Sequence, residues 1–225
     1  MGFRGGTYAF ACHAELGRYH AKLSQLEKYQ EQSHLLDPYL EQMIASGMAK
    51  IRVMVRVVYE DAMRTPEVDF TSQLMPNNAL LHQLCRYIYL LCKTRKYKNI
   101  VKFFPHEVAD VEPTLHSLAR QDSGDHSTWE TRYVLLMWMS ILVLIPFNLA
   151  TVDSGVVSQD PSKTLVGRIA AMCRFYLSDP GAVRDAGAIC LAKLLSRPDM
   201  DDGELQRFFA WATHTVQEKA TASAS

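Results

Sequence analysis

From Tyr133 to Phe147 the chain carries no charged residue, and this run constrains the fold more than any other feature. As a helix it would reach only ~22 Å, short of the ~30 Å hydrocarbon core of a bilayer, and Pro146 shortens it further. Apolar on nearly every face beyond Arg132, it has to be surrounded by protein. A chain of 225 residues, 48% of them hydrophobic, can bury roughly 70–75% of its unfolded surface, so a core large enough to enclose it is available. Ser127-Thr128-Trp129-Glu130 has the spacing of a capping box and predicts that the helix starts there and runs to about Ile145.

The remaining pattern is helical as well. Residues 1–15 are glycine-rich and read as poorly ordered. Leu16, Tyr19, Leu23, Leu26 and Gln30 fall at helical spacing over Leu16 to Gln32. Asp37-Pro38 supplies an N-cap and a first-turn proline for a second helix. That helix is interrupted by Gly47, and Ile51, Val53, Val55, Val57 and Val58 alternate well enough to permit a strand over 51–58. Helix is preferred, because a lone strand leaves its backbone hydrogen bonds unmade and no second strand candidate exists. Residues 65–76 read as a loop, with Asn77 or Asn78 as the next cap. Leu81, Leu84, Ile88 and Leu91 share one face of a helix over Ala79 to Arg95, and Ile100 to Phe104 is a short apolar step. Pro105 is read as starting a further helix that Pro113 kinks or splits.

After the loops at Gln121–His126 and Asn148–Asp160, Asp160-Pro161 opens a helix with an inner face of Leu165, Ile169, Met172, Cys173 and Tyr176. Asp179-Pro180 opens another, carrying Val183-Arg184-Asp185-Ala186-Gly187-Ala188 with Leu191 and Leu194. Small residues on one face let helices approach closely, and the pattern resembles the second helix of a HEAT or armadillo repeat. Asp201 and Glu204 are read as capping a last helix with Leu205, Phe208, Phe209, Ala212 and Val216, before a disordered tail at 218–225. The fold class is therefore all-α, an α-solenoid of HEAT/armadillo-type repeats over 16–217, with an irregular helical bundle as the competitor.

Several function classes lose ground. Lys plus Arg and Asp plus Glu are 24 each, so no global field favours nucleic acid or an anionic membrane. Five dispersed cysteines without a C-x-x-C pair argue against a disulfide framework or zinc ribbon and favour a reducing, cytoplasmic compartment. The N-terminus lacks the Ser or Thr of a myristoylation signal and the apolar region of a signal peptide. Asp125-His126-Ser127 holds the residue types of a hydrolase triad, but neighbours on one loop cannot adopt its geometry. His82, Cys85 and Cys92 share a helix side without a fourth metal ligand. No glycine-rich phosphate loop occurs. The expectation is a non-catalytic protein without metal or cofactor.

One charged feature remains. Lys93, Arg95, Lys96 and Lys98 surround Tyr97, with Lys102 just beyond. They form either a solvated helix end or a docking patch for an acidic partner. RNA is a weaker alternative, because stacking aromatics are not repeated. Glu107, Asp110 and Glu112 form an acidic stretch close by.

Leu26 to Gln32, His34 to Glu41, Tyr97-Lys98, Phe104-Pro105-His106-Glu107-Val108-Ala109-Asp110-Val111-Glu112-Pro113, Trp129 to Tyr133 and Ile145-Pro146-Phe147 closely resemble the N-terminal region of the tubulin-folding cofactor D family, also called tubulin-specific chaperone D. The likeness covers about residues 23–44 and 80–216; residues 1–22 and 45–76 depart from it. It implies HEAT and armadillo-type repeats, capture of β-tubulin, work with cofactors E and C in α/β-tubulin heterodimer assembly and microtubule biogenesis, stimulation of tubulin GTP hydrolysis, and binding of an Arf-like small GTPase. It also implies a cytoplasmic, cytoskeleton-associated location. Family proteins are several times longer, so the chain reads as a fragment, a short isoform or a divergent gene product. The candidate partner-binding residues are Lys93, Arg95, Lys96, Tyr97, Lys98, Lys102, His106, Glu107, Asp110 and Arg132. The alternative function is a HEAT-type adaptor for a small GTPase or other protein, without chaperone activity.

Overall fold

The computed structural model describes residues 33–64, 78–153, 160–200 and 202–224. The helix expected at Leu16–Gln32, the poor order expected over 1–15, the loop expected at 65–76 and the Asn77 cap fall on residues outside those described. Those described form eight helices and no strand: α1 Ser33–Arg64, α2 Asn78–Arg95, α3 Tyr97–Ile100, α4 Val111–Ala119, α5 Trp129–Leu142, α6 Leu165–Tyr176, α7 Ala182–Leu195 and α8 Asp202–Ala224. Single 3-10 turns occupy Val101–Phe103, Val108–Asp110, Leu149–Thr151 and Pro161–Lys163.

The chain divides into two compact units, Met1–Gly47 and Met48–Ser225. In the first, the described residues belong to α1, and Leu40, Met43 and Ile44 are buried at helical spacing. Asp37-Pro38 does not start this helix, as the sequence had suggested; Pro38 lies inside it. Proline in an early turn keeps helical φ and forfeits one backbone bond.

In the second unit the valine-rich stretch is helix. Ile51 and Val55 are buried one turn apart while Val53 and Val57 are exposed, which is the 3.6-residue period. The expected central element is α5: every residue from Glu130 to Ser140 is buried. It packs against α2, α4 and α7, and α7 in turn packs on α6. Tyr89 of α2 meets Trp129 and Tyr133 of α5 edge to face, at ring separations of 4.5 and 5.0 Å.

Helix starts are where sequence and structure part. The capping box is not formed. Ser127 donates its backbone N–H and its hydroxyl to Asp125 Oδ1, at 2.8 and 2.7 Å. Thr128 becomes the N-cap without a side-chain capping bond, its hydroxyl donating to Asp125 Oδ2 at 3.0 Å, and Glu130 faces Arg86 instead. An ionised carboxylate close in sequence is the stronger acceptor, so the loop takes the hydroxyls. Pro105 starts no helix. Residues 105–107 connect to a 3-10 turn, and Pro113 falls in the first turn of α4, where its missing N–H costs nothing and no kink results. Asp160-Pro161 forms its own 3-10 turn, and Thr164 caps α6 through Gly167 N–H at 3.1 Å. α7 begins only after Gly181, whose φ of 82° suits a residue without Cβ.

The small-residue face of α7 works as expected. A Cβ on Gly187 would meet Cys173 O of α6 at 3.3 Å and Tyr176 Cβ at 3.4 Å, so the glycine sets how closely the two helices approach. α5 ends at Leu142 rather than Ile145, and Arg197 donates to the carbonyls of Val143, Ile145 and Phe147 beyond it. α8 continues to Ala224, past the point where a disordered tail was expected. Glu204 pairs with Arg207 at 2.7 Å, and Asp201 lies outside the described residues.

Candidate partner-binding surface

α2 ends with Thr94 donating its hydroxyl to Leu90 O at 2.9 Å and Asn99 donating to Arg95 O at 3.0 Å, which together cover the last carbonyls. Lys96 then turns the chain at φ 66°, the one non-glycine positive φ among the described residues, and α3 follows. Lys93, Lys96, Lys98 and Lys102 are exposed around this corner, with Arg95 and Tyr97 half-buried. Lys102 Nζ lies 4.9 Å above the Phe103 ring. Lys93, Lys96 and Lys98 have no carboxylate partner among the described residues, so their charge faces solvent. The structure thus brings the six residues of the basic cluster to one corner.

The Phe104–Pro113 run divides by burial. Phe104 and Val111 are buried, and Trp138 Nε1 of α5 donates to Pro105 O at 2.7 Å. His106 is exposed, with Nδ1 3.4 Å from Phe104 O. Asp110 is fully buried and receives Arg52 Nε at 2.9 Å and Arg56 Nε at 2.6 Å. Arg52 and Arg56 also reach Glu107, whose carboxyl is held below its usual range first by the hydrogen bond from Arg52. Tyr59 donates to Glu112 at 3.0 Å and stacks edge-on against His116 at 5.6 Å.

Two proposed contact residues are therefore corrected. Asp110 is a buried anchor for two arginines, and Arg132, 1% exposed, donates to Asp122 O at 2.6 Å and Asp125 O at 3.0 Å. A long cation inside an apolar helix is tolerated because loop carbonyls meet its guanidinium. Arg52, Arg56 and Tyr59 were missed in the sequence. Their spacing of four and three residues puts them on one helical face, but the alternating valines around them are equally compatible with a strand.

The other candidate constellations are occupied structurally. His82 Nδ1 is 2.7 Å from Thr131 Oγ1, and burial lowers its pKa. Burial pushes the thiols of Cys85 and Cys92 up to about 12, so neither supplies a thiolate near neutral pH. Ser127 donates directly to Asp125 with no imidazole between them. Among the described residues no three His, Cys, Asp or Glu gather as a metal site, and no helix is long and apolar enough to cross a membrane.

Packed helices without strands, among the described residues, define a helical-repeat protein with an exposed cationic corner. A family model described as tubulin-specific chaperone D-like, ARM repeat, matches residues 26–216. The chain belongs to that family, a chaperone family with an ARM-repeat fold. It is 26% identical over 203 residues to tubulin-specific chaperone D of Dictyostelium discoideum, an alignment taking in 59% of this chain and 14% of that protein. It is 32% identical over 112 residues to tubulin-folding cofactor D of Schizosaccharomyces pombe, covering 50% of this chain and 9% of the relative. The chain thus spans a small part of the length of these curated relatives. No solved structure matches it.

Proposed function

We propose that this chain is a tubulin-binding segment of the chaperone, acting in the cytoplasm on β-tubulin during α/β-tubulin heterodimer assembly and microtubule biogenesis. The observation that carries the reading is the solvent-facing cluster of Lys93, Lys96, Lys98 and Lys102 in a chain of zero net charge. Local charge without a global field gives a directed encounter with an acidic surface. Arg95 and Tyr97 belong to the same run, and His106 and Glu107 follow it in the chain as further proposed contact residues. The resemblance supports further steps: joint action with cofactors E and C, stimulation of tubulin's GTP hydrolysis, and engagement of an Arf-like small GTPase. In this scheme the hydrolytic site belongs to tubulin, and the chain contributes shape and charge.

Co-purification of β-tubulin with the full chain tests the proposal. Capture should weaken steeply between low and physiological salt, and Lys96→Glu with Lys98→Glu should weaken it by about tenfold or more at low salt. Unchanged capture in the double variant removes this corner from the interface.

A further inference from the structure

Between α4 and α6 lies an open groove of about 520 Å³, within the range of ligand sites. Leu118, Ala171, Met172 and Phe175 make its apolar lining, with Phe175 57% exposed. His116 and Arg168 also line it. Arg120, the C-cap of α4, lies four residues beyond His116. Neither Arg168 nor Arg120 has a carboxylate partner among the described residues, although arginines elsewhere in the unit, such as Arg52 and Arg197, are ion-paired. Burial lowers the His116 pKa, and the Arg120 and Arg168 guanidiniums add to the shift. The carboxylate of Asp160, near the lining residue Ser162, is already engaged by Ser162 and Lys163.

We infer that this groove is a docking site for an acidic peptide segment carrying one large apolar side chain. The apolar lining takes the side chain, Arg168 takes a carboxylate beside it, and Arg120, next to the lining residue Ala119, adds positive charge at the groove's edge. Charge complementarity selects this occupant: Arg168 in the apolar lining and Arg120 beside it, neither ion-paired among the described residues, leave an attraction that an anionic partner satisfies. The open form favours a chain segment laid across the groove over a small molecule, which it would enclose poorly. The inference does not rest on the reading of the Lys93–Lys102 corner.

The probe is a fluorescein-labelled peptide with one phenylalanine flanked on both sides by glutamates, titrated with the full chain and followed by anisotropy. Two control peptides replace the phenylalanine by alanine or the glutamates by glutamine. Saturable binding is expected, weakened about tenfold or more in either control and in Arg168→Glu, and abolished by Ala171→Trp, which fills the groove from an exposed position. Arg120→Glu, also exposed, provides an independent reading if circular dichroism shows that either variant has lost helix. Lys96→Glu with Lys98→Glu should bind the probe as the parent chain does. Absence of saturation, equal binding of the controls, or weakening only in the Lys96/Lys98 pair would overturn the inference. A parent dimer in light scattering that Ala171→Trp dissociates would give the groove to a second copy and overturn it as well.

Discussion

Replacing Asp110 by alanine probes the feature that joins α1 to the Phe104–Pro113 run. The Asp110 side chain has no exposure, while Arg52 and Arg56 retain 23% and 32% of theirs. Removing one partner of a buried ion pair costs ~3–5 kcal/mol when the remaining charge is trapped. Here the remaining charges are guanidiniums that already reach water and can turn outward, so the loss should lie at the low end, about 3 kcal/mol. In a chain of this size that lowers Tm by about 6–12 °C. The opposite cut should be worse: Arg52→Met with Arg56→Met leaves the carboxylate alone in the interior and should cost about 5 kcal/mol. Combining all three changes should recover part of that loss, since the stranded charge is gone. Urea unfolding followed by far-UV circular dichroism, with the slope unchanged, gives these values. A loss below ~1 kcal/mol for Asp110→Ala, or no difference in order between the two cuts, would refute the reasoning.

Further expectations follow from backbone geometry and from titration. Lys96→Gly should raise stability by about 1 kcal/mol by relieving the positive φ while weakening tubulin capture, so unfolding and capture assays should move in opposite directions. Gly187→Ala should be nearly neutral, because about 1 kcal/mol of helix propensity offsets contact with Cys173 O, whereas Gly187→Leu should cost about 3 kcal/mol by thermal unfolding. Hydrogen bonds from the Ser127 hydroxyl, then the Ser127 N–H and Thr128, hold the Asp125 pKa at about 2 against 3.8. The folded carboxyl thus binds a proton less readily than the unfolded one, and its contribution is present above pH 3.8 and is lost as pH falls towards 2. Asp125→Asn should flatten that part of the stability profile, and a carboxyl-resolved NMR titration should show the low midpoint directly.

The helical class, the buried centre at α5 and the close α6–α7 contact were legible because each depends on residue spacing along one helix. A run without charge from Tyr133 to Phe147 can only be enclosed, and Gly187 among Ala186 and Ala188 marks a close approach wherever the partner helix lies. The basic corner was legible for the same reason, as its residues are neighbours in the chain. Helix starts were not, because Asp125 competed for the hydroxyls of Ser127 and Thr128, and Gly181 moved the start of α7. Asp110 and Arg132 looked like surface charges in the sequence. Only the tertiary structure brought Arg52 and Arg56 to the first and loop carbonyls to the second, and so decided that both are buried. Long-range pairing of this kind has no period to betray it: the partners are separated by loops, and the low-dielectric interior rewards their meeting only after the helices have packed. The groove between α4 and α6 likewise exists only once those helices stand side by side.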